Sequence, residues 1–232
     1  MILKVENLQS KYGLSQVLFD IGLEVSEGES VCILGRNGVG KSTTLKTIIG
    51  DVKACGGSIV FNGENIIGLP AYKISRKGMA FVPQGRHIFP NLTVRENLIM
   101  AQRNGVDGRC NWTFEKIHEL FPILKTRANQ KGRQLSGGEQ QMLAISRGLL
   151  QNPKLLLLDE ICEGLAPIVV QELAEVIQEL RERKVSILIA EQSVKFATKV
   201  SDRCYIIEKG KVVYHGDSSG IPHEVFVKHL GA

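Results

Sequence analysis

The stretch Gly35-Arg36-Asn37-Gly38-Val39-Gly40-Lys41-Ser42 constrains this chain more than any other, because it fits the phosphate-binding pattern GxxxxGK[ST]. Glycines at these positions let backbone N–H groups converge on phosphate oxygens where a Cβ would intrude. The apolar run Val31-Cys32-Ile33-Leu34 before the loop reads as a strand, and residues 41–49 after it read as a helix. Strand, glycine-rich loop and helix form the context such a loop requires, and the helix start adds free N–H groups and a positive dipole end. Lys41 is expected to reach the β- and γ-phosphates and Ser42 to ligate Mg²⁺. Arg36, Asn37, Val39 and Thr43 complete the expected cradle.

A phosphate loop of this kind needs an acidic element on a neighbouring strand to hold the Mg²⁺ shell. Leu155-Leu156-Leu157-Leu158-Asp159-Glu160 supplies it. Four leucines place the strand inside a sheet, so its C-terminal end emerges at the edge where such sheets bind ligands. Asp159 suits the metal, through water. Glu160 points elsewhere and can polarise an attacking water.

The rest of the chain agrees with one large α/β unit. Its 232 residues, 43% apolar, suffice to bury a full core. Residues 2–5 and 17–25 suggest antiparallel β structure, and 79–82, 154–158 and 185–190 read as strands with a helix over 168–181 between the last two. Between about 84 and 151 the texture turns helical, with apolar spacing over 94–102, 112–120 and 138–150. Residues 204–207 and 212–214 look like a hairpin around Lys209-Gly210, before a final short helix. Continuous apolar strands separated by helices indicate a parallel sheet covered on both faces. No 20–50-residue repeat is present, and no apolar run approaches the roughly 20 residues needed to cross a bilayer. Residues 1–6 do not read as a secretory signal. Five dispersed cysteines lack zinc spacing and read as reduced thiols, mostly small buried hydrophobes. The formal charge of +5 is spread along the chain and gives nucleic-acid binding little support.

Leu135-Ser136-Gly137-Gly138-Glu139-Gln140-Gln141 matches an LSGGQ-type signature, with Glu139 in place of the commoner Gln. With the phosphate loop and the Asp159-Glu160 strand, it makes the chain resemble the ABC ATPases over nearly its whole length. The resemblance implies an α/β P-loop NTPase fold of ABC type: a mainly parallel sheet flanked by helices, an N-terminal antiparallel β subdomain and a helical subdomain. Residues 1–83 and 152–232 form the core of this single domain and about 84–151 the helical part. It further implies that Ser136, Gly137, Gly138 and Glu139 cap the γ-phosphate of ATP held by a second ATPase subunit. Gln84 stands at the position that senses γ-phosphate and Mg²⁺ and faces the permease, and Tyr12 where an aromatic ring stacks on adenine. The implied partners are that second ATPase, identical or not, integral membrane permease subunits and, indirectly, a periplasmic or extracellular solute-binding protein. The implied place is the cytoplasmic face of the inner membrane.

Val82-Pro83-Gln84-Gly85-Arg86, Ile88-Phe89, residues 135–144, Gly164-Leu165-Ala166-Pro167 and the ending His229-Leu230-Gly231 look like the second ATPase of the branched-chain amino acid importers. The urea and short-amide importers are the near alternative, favoured slightly by Gln84-Gly85-Arg86 and Phe89-Pro90. A soluble ABC ATPase outside transport and an ATP-holding regulatory subunit are the other readings. Gln192 stands where most ABC ATPases carry a switch histidine; it can hydrogen-bond phosphate or water but carries no proton charge. Ala166 replaces the usual aspartate of a loop that communicates across the dimer. Ile161-Cys162 replaces the usual proline and Ser or Thr after the catalytic pair, a change expected to loosen the placement of Glu160. With Glu160 itself intact, ATPase activity is expected to be retained.

Overall fold

The computed structural model describes residues 1–231. Two sheets carry the fold. β1 (Leu3–Tyr12) pairs with β2 (Ser15–Val25) and with β4 (Ala54–Phe61), and β5 (Glu64–Asn65) adds the edge of this antiparallel sheet, in the order β2-β1-β4-β5. The second sheet is built from β3 (Ser30–Leu34), β6 (Met79–Val82), β7 (Leu155–Asp159), β8 (Ile187–Glu191), β9 (Arg203–Glu208) and β10 (Lys211–Asp217). Its order is β10-β9-β3-β8-β7-β6, parallel throughout except for the β9–β10 hairpin.

The helices follow from local signals. α1 (Lys41–Ile48) leaves the glycine-rich loop, with Gly40 at its N-cap in a left-handed conformation. α2 (Ala71–Arg76) leads into β6. The stretch read as helical contains α3 (Val94–Ile99), α4 (Phe114–Leu120), α5 (Pro122–Thr126) and α6 (Gly137–Leu149). Its one pairing of strand type is an isolated bridge between Thr93 and Lys131. Thr93 with Glu96, and Ser136 with Glu139, form capping boxes that start α3 and α6. α7 (Pro167–Glu182) begins on a proline at its first position and buries Leu173, Ala174, Ile177 and Leu180. α8 (Val194–Val200) follows β8, and α9 (His223–Val225) with a π-type turn over Phe226–Leu230 closes the described chain.

Alternation along the parallel strands divides the interior in two. Cys32, Leu34, Leu156, Leu158, Ile187 and Ile189 face the core shared with α3–α8. Val31, Ile33, Leu155, Leu157, Leu188 and Ala190 face the core shared with α1 and the antiparallel sheet. All of these side chains are fully buried, each contributing roughly 1.5–3 kcal/mol for its larger members. Sides covered on both faces are why these strands read as unbroken apolar runs.

The cysteines depart from expectation. All five are free, but only Cys32 and Cys204 are buried, Cys162 is half-buried, and Cys55 and Cys110 are exposed.

Candidate active site

Parallel register brings the C-terminal ends of four strands together. Leu34 lies opposite Glu191, Asp159 opposite Ala190, and Val82 opposite Leu158. The phosphate loop, Asp159-Glu160, Gln84 and Glu191-Gln192 therefore leave the sheet at one edge, where open α/β sheets bind ligands.

The loop itself is clamped from behind. A Cβ on Gly35 would sit 2.5 Å from the carbonyl oxygen of Ile207 in β9. Gly210, in the β9–β10 turn, donates its N–H to Val39 O at 2.9 Å and accepts from Phe19 N–H at 2.7 Å. Lys41 is 3% exposed. Its Nζ donates to the carbonyls of Gly35 and Arg36 at 3.0 Å each and pairs with Glu160 Oε1 at 2.9 Å. The ammonium is thus folded over the loop and held by the neighbouring carboxylate.

Ser42 Oγ donates to Asp159 Oδ1 at 2.8 Å, while Asp159 Oδ2 is buried without any hydrogen-bond partner. Burial pushes the Asp159 carboxyl above the usual carboxylate range, with Ser42 opposing. Among the described residues no cluster of three His, Cys, Asp or Glu forms a metal cage. A serine hydroxyl and one carboxylate with an unpartnered oxygen instead suit a hard divalent cation that draws its other ligands from water and phosphate. The carboxylate in the metal-free protein is therefore strained electrostatically. Asp159→Asn is expected to raise the melting temperature of nucleotide-free protein by a few degrees at neutral pH while abolishing Mg²⁺-dependent hydrolysis. The folded carboxyl keeps a proton that the unfolded chain releases, so its contribution holds at low pH and is lost as pH rises through the raised pKa. The advantage of the Asn variant should accordingly vanish in acid; an advantage unchanged with pH would contradict this reading.

Glu160 has a left-handed φ of 44°, which few non-glycine residues adopt without support. Its N–H donates to Ala190 O at 2.9 Å. Its Oε2 accepts from Gln84 Nε2 at 3.2 Å, and the same amide donates to Glu163 at 2.7 Å. The segment after Glu160, where looser placement is expected, makes contacts of its own. Ile161 is 1% exposed and packs in the core, and the Cys162 N–H donates to Glu191 Oε1 at 3.2 Å. Apolar burial and one hydrogen bond hold the segment where proline is missing.

Glu163 and Glu191 were not among the expected site residues. Glu191 ends a buried strand as Asp159 does, which is the signal that marks it. It is 4% exposed, accepts N–H from both Cys162 and Gln192, and is raised in pKa by burial. Gln192 itself is exposed beside a small cleft of about 270 Å³ that also touches Asn37 and Glu160.

The signature lies apart. Ser136 Oγ accepts from Glu139 N–H at 3.2 Å, and Glu139 spends its carboxylate on Ser136 N–H at 2.7 Å and on Arg127 at 3.3 Å. Among the described residues no hydrogen bond joins Ser136, Gly137 or Gly138 to residues 35–43. Arg86, left-handed at φ 71°, stacks its guanidinium about 3.0 Å from where a Gly137 Cβ would stand. Arg147 in α6 reaches back to His87 O at 2.7 Å and lies 4.5 Å from the Phe89 ring centroid. Two arginines therefore fasten the segment after Gln84 to the signature helix. Tyr12 ends β1 at the hairpin tip, half exposed.

A family model described as ABC transporter matches residues 18–163. The chain is 44% identical over 220 residues to the high-affinity branched-chain amino acid transport ATP-binding protein BraG of Pseudomonas aeruginosa, covering 95% of this chain and 94% of that one. It is 37% identical over 232 residues to the lipopolysaccharide export system ATP-binding protein LptB of Haemophilus influenzae, covering 99% and 96%. Among solved structures, it is similar to a dimeric post-hydrolysis ATP-binding cassette bound to ADP and phosphate, with a TM-score of 0.79, 25% identity and coverage of 95% and 100%.

Proposed function

The chain belongs to the ABC transporter ATP-binding family, and from that premise we propose that it powers the uptake of branched-chain amino acids. It is an ATP-hydrolysing transporter subunit of the ABC P-loop fold. What supports the substrate is the 44% identity to a branched-chain amino acid transport protein over nearly both full lengths. The 37% identity to a lipopolysaccharide export protein makes lipopolysaccharide export the second reading.

In the proposed cycle Tyr12 stacks on adenine, and residues 35–43 hold the phosphates. Lys41 exchanges Glu160 for the β- and γ-phosphates, which frees the Glu160 carboxylate to accept a proton from the attacking water. Ser42, Asp159 and Gln84 would hold Mg²⁺, which when bound would supply charge neutralisation at the transferring phosphoryl group. Gln192 hydrogen-bonds the phosphate or water. The signature of a second ATPase subunit, residues 136–139 of that copy if the dimer is homomeric, closes the site. Support for this comes from the dimeric form of a similar cassette.

No described helix is long and apolar enough to cross a membrane, so transport requires membrane partners. A cleft of about 650 Å³, lined in part by Tyr72, Phe81, Gln84 and His87, is the proposed seat of a permease segment. Gln84 lines this cleft and also donates to Glu160, so movement there reaches the catalytic carboxylate through one side chain. Affinity purification of the tagged chain from gently solubilised membranes tests the proposal. Two permease subunits, another ATPase and an amino-acid-binding protein are expected. Recovery with lipopolysaccharide-export components, or of the chain alone, would overturn it.

A further inference from the structure

A second cleft, of about 470 Å³, opens at the opposite ends of the same strands. Its walls are the loop between α3 and α4, the Pro153-Lys154 lead into β7, and residues 183–186 between α7 and β8. Arg109, Lys116, Lys154, Arg183 and Lys184 line it, against the carboxylates of Glu27 and Asp107. Asp107 lies 3.7 Å from Arg109, and Glu179 pairs with Arg183 at 2.6 Å. Among the described residues no carboxylate comes within 4.0 Å of the ammonium groups of Lys116, Lys154 or Lys184. Lys116 Nζ donates to Asn111 O at 2.7 Å, and three cations lining one concavity without a carboxylate partner repel each other, a cost that a bound anion offsets.

Hydrogen bonds anchor both ends of the loop between α3 and α4. Asn152 is 7% exposed and bridges the two ends of that loop. Its Oδ1 accepts from Trp112 N–H at 2.6 Å, and its Nδ2 donates to Arg103 O at 2.9 Å and to Trp112 O at 3.1 Å. Arg103 in turn donates to Ser75 O at 2.8 Å, pinning the loop start to α2. Arg183 lies over the Trp112 ring, 5.8 Å from its centroid. A preformed concavity of this size, basic and walled by an immobilised aromatic, falls within the range of small-molecule sites.

We propose that this cleft binds a soluble, multiply charged, phosphate-bearing small molecule at a site separate from the phosphate loop. The bound anion ties the α3–α4 loop to the start of β7 and the end of α7, and so restrains the helical part of the chain against the core. A flat membrane surface does not enter such a concavity, which is why the free anion is the favoured occupant.

Trp112 is the single tryptophan of the chain, so its emission reports on this cleft alone. Inorganic pyrophosphate is titrated into full-length Lys41→Ala protein, in which the phosphate loop is disabled, at constant ionic strength. A saturable change in emission is expected, with affinity weakened about tenfold by Lys154→Glu and separately by Lys116→Glu. The proposal is overturned if no saturable change occurs, if sodium chloride of matched ionic strength reproduces it, if both charge reversals leave it unaltered, or if only phosphatidylglycerol vesicles elicit it.

Discussion

Replacing Glu160 by glutamine is expected to lower ATP hydrolysis by at least about a hundredfold while leaving ATP binding intact, the range that loss of a general base produces. The substitution keeps the size and the hydrogen-bonding reach of the side chain but removes its basicity. Glu160 is singled out among the nearby carboxylates by geometry. Asp159 is committed to Ser42, and Glu191 accepts two backbone N–H groups. Glu160 alone combines contact with Lys41 at 2.9 Å and with Gln84 at 3.2 Å. In the proposed cycle, phosphate binding draws Lys41 away and leaves this carboxylate free beside the glutamine. Removing the charge also removes the competitor for Lys41, so ATP affinity should hold or rise. Turnover of purified complex and equilibrium binding of labelled ATP check both halves. A variant that hydrolyses ATP within about threefold of the parent would move the base to another residue.

The second large effect lies outside the phosphate loop. Gly210→Ala is expected to cost roughly 3 kcal/mol or more in stability, and so on the order of 10 °C in melting temperature. It should also weaken ATP binding about tenfold. Lys209 and Gly210 both have positive φ, 48° and 74°, as a two-residue hairpin turn requires. A Cβ at Gly210 would fall inside the contact radius of the Val17 carbonyl oxygen, a backbone atom that can yield only if β2 moves. The same residue is bonded to Val39 in the phosphate loop and to Phe19 in β2. Relief of the clash therefore displaces the loop that holds phosphate. Gly63→Ala is the control: its φ is 80°, but nothing stands within 4 Å of the added methyl. It should lower stability by only about 1 kcal/mol and leave ATP affinity unchanged. Equal effects of the two substitutions would show that backbone strain alone, and not the brace on Val39, is at work.

The parts of the fold that were legible in the sequence are those with one dominant local signal. Leu155–Asp159 announces a two-face-buried strand by composition, and residues 138–150 announce a helix by apolar spacing. Elements whose signals conflict were passed over. Asn62-Gly63 is a strong hairpin turn, with φ of 49° and 80°. Yet β4 before it carries Gly56-Gly57, residues that weaken any strand pattern. The strand read over residues 2–5 runs on to Tyr12 through three register shifts against β2, and such irregularities break the period-two pattern.

The candidate site divides in the same way. Residues inside a local motif, from Gly35 to Ser42 and at Asp159-Glu160, could be named from spacing. The contacts between motifs could not, since Lys41 and Glu160 are 119 positions apart in the chain, and so are not neighbours in any local pattern. Gln84 with Glu163, Arg86 over Gly137 and Arg147 with His87 likewise exist only once the strands are in register. The Glu139 carboxylate closes the capping box and pairs with Arg127, contacts that the signature pattern by itself does not announce.

The most direct test of the account is uptake of radiolabelled leucine by cells in which the gene for this chain has been deleted. Uptake at low external leucine should collapse, return when the wild-type chain is restored, and stay absent with Glu160→Gln. Leucine uptake that is unchanged by the deletion, or restored equally by the Glu160→Gln chain, would contradict it.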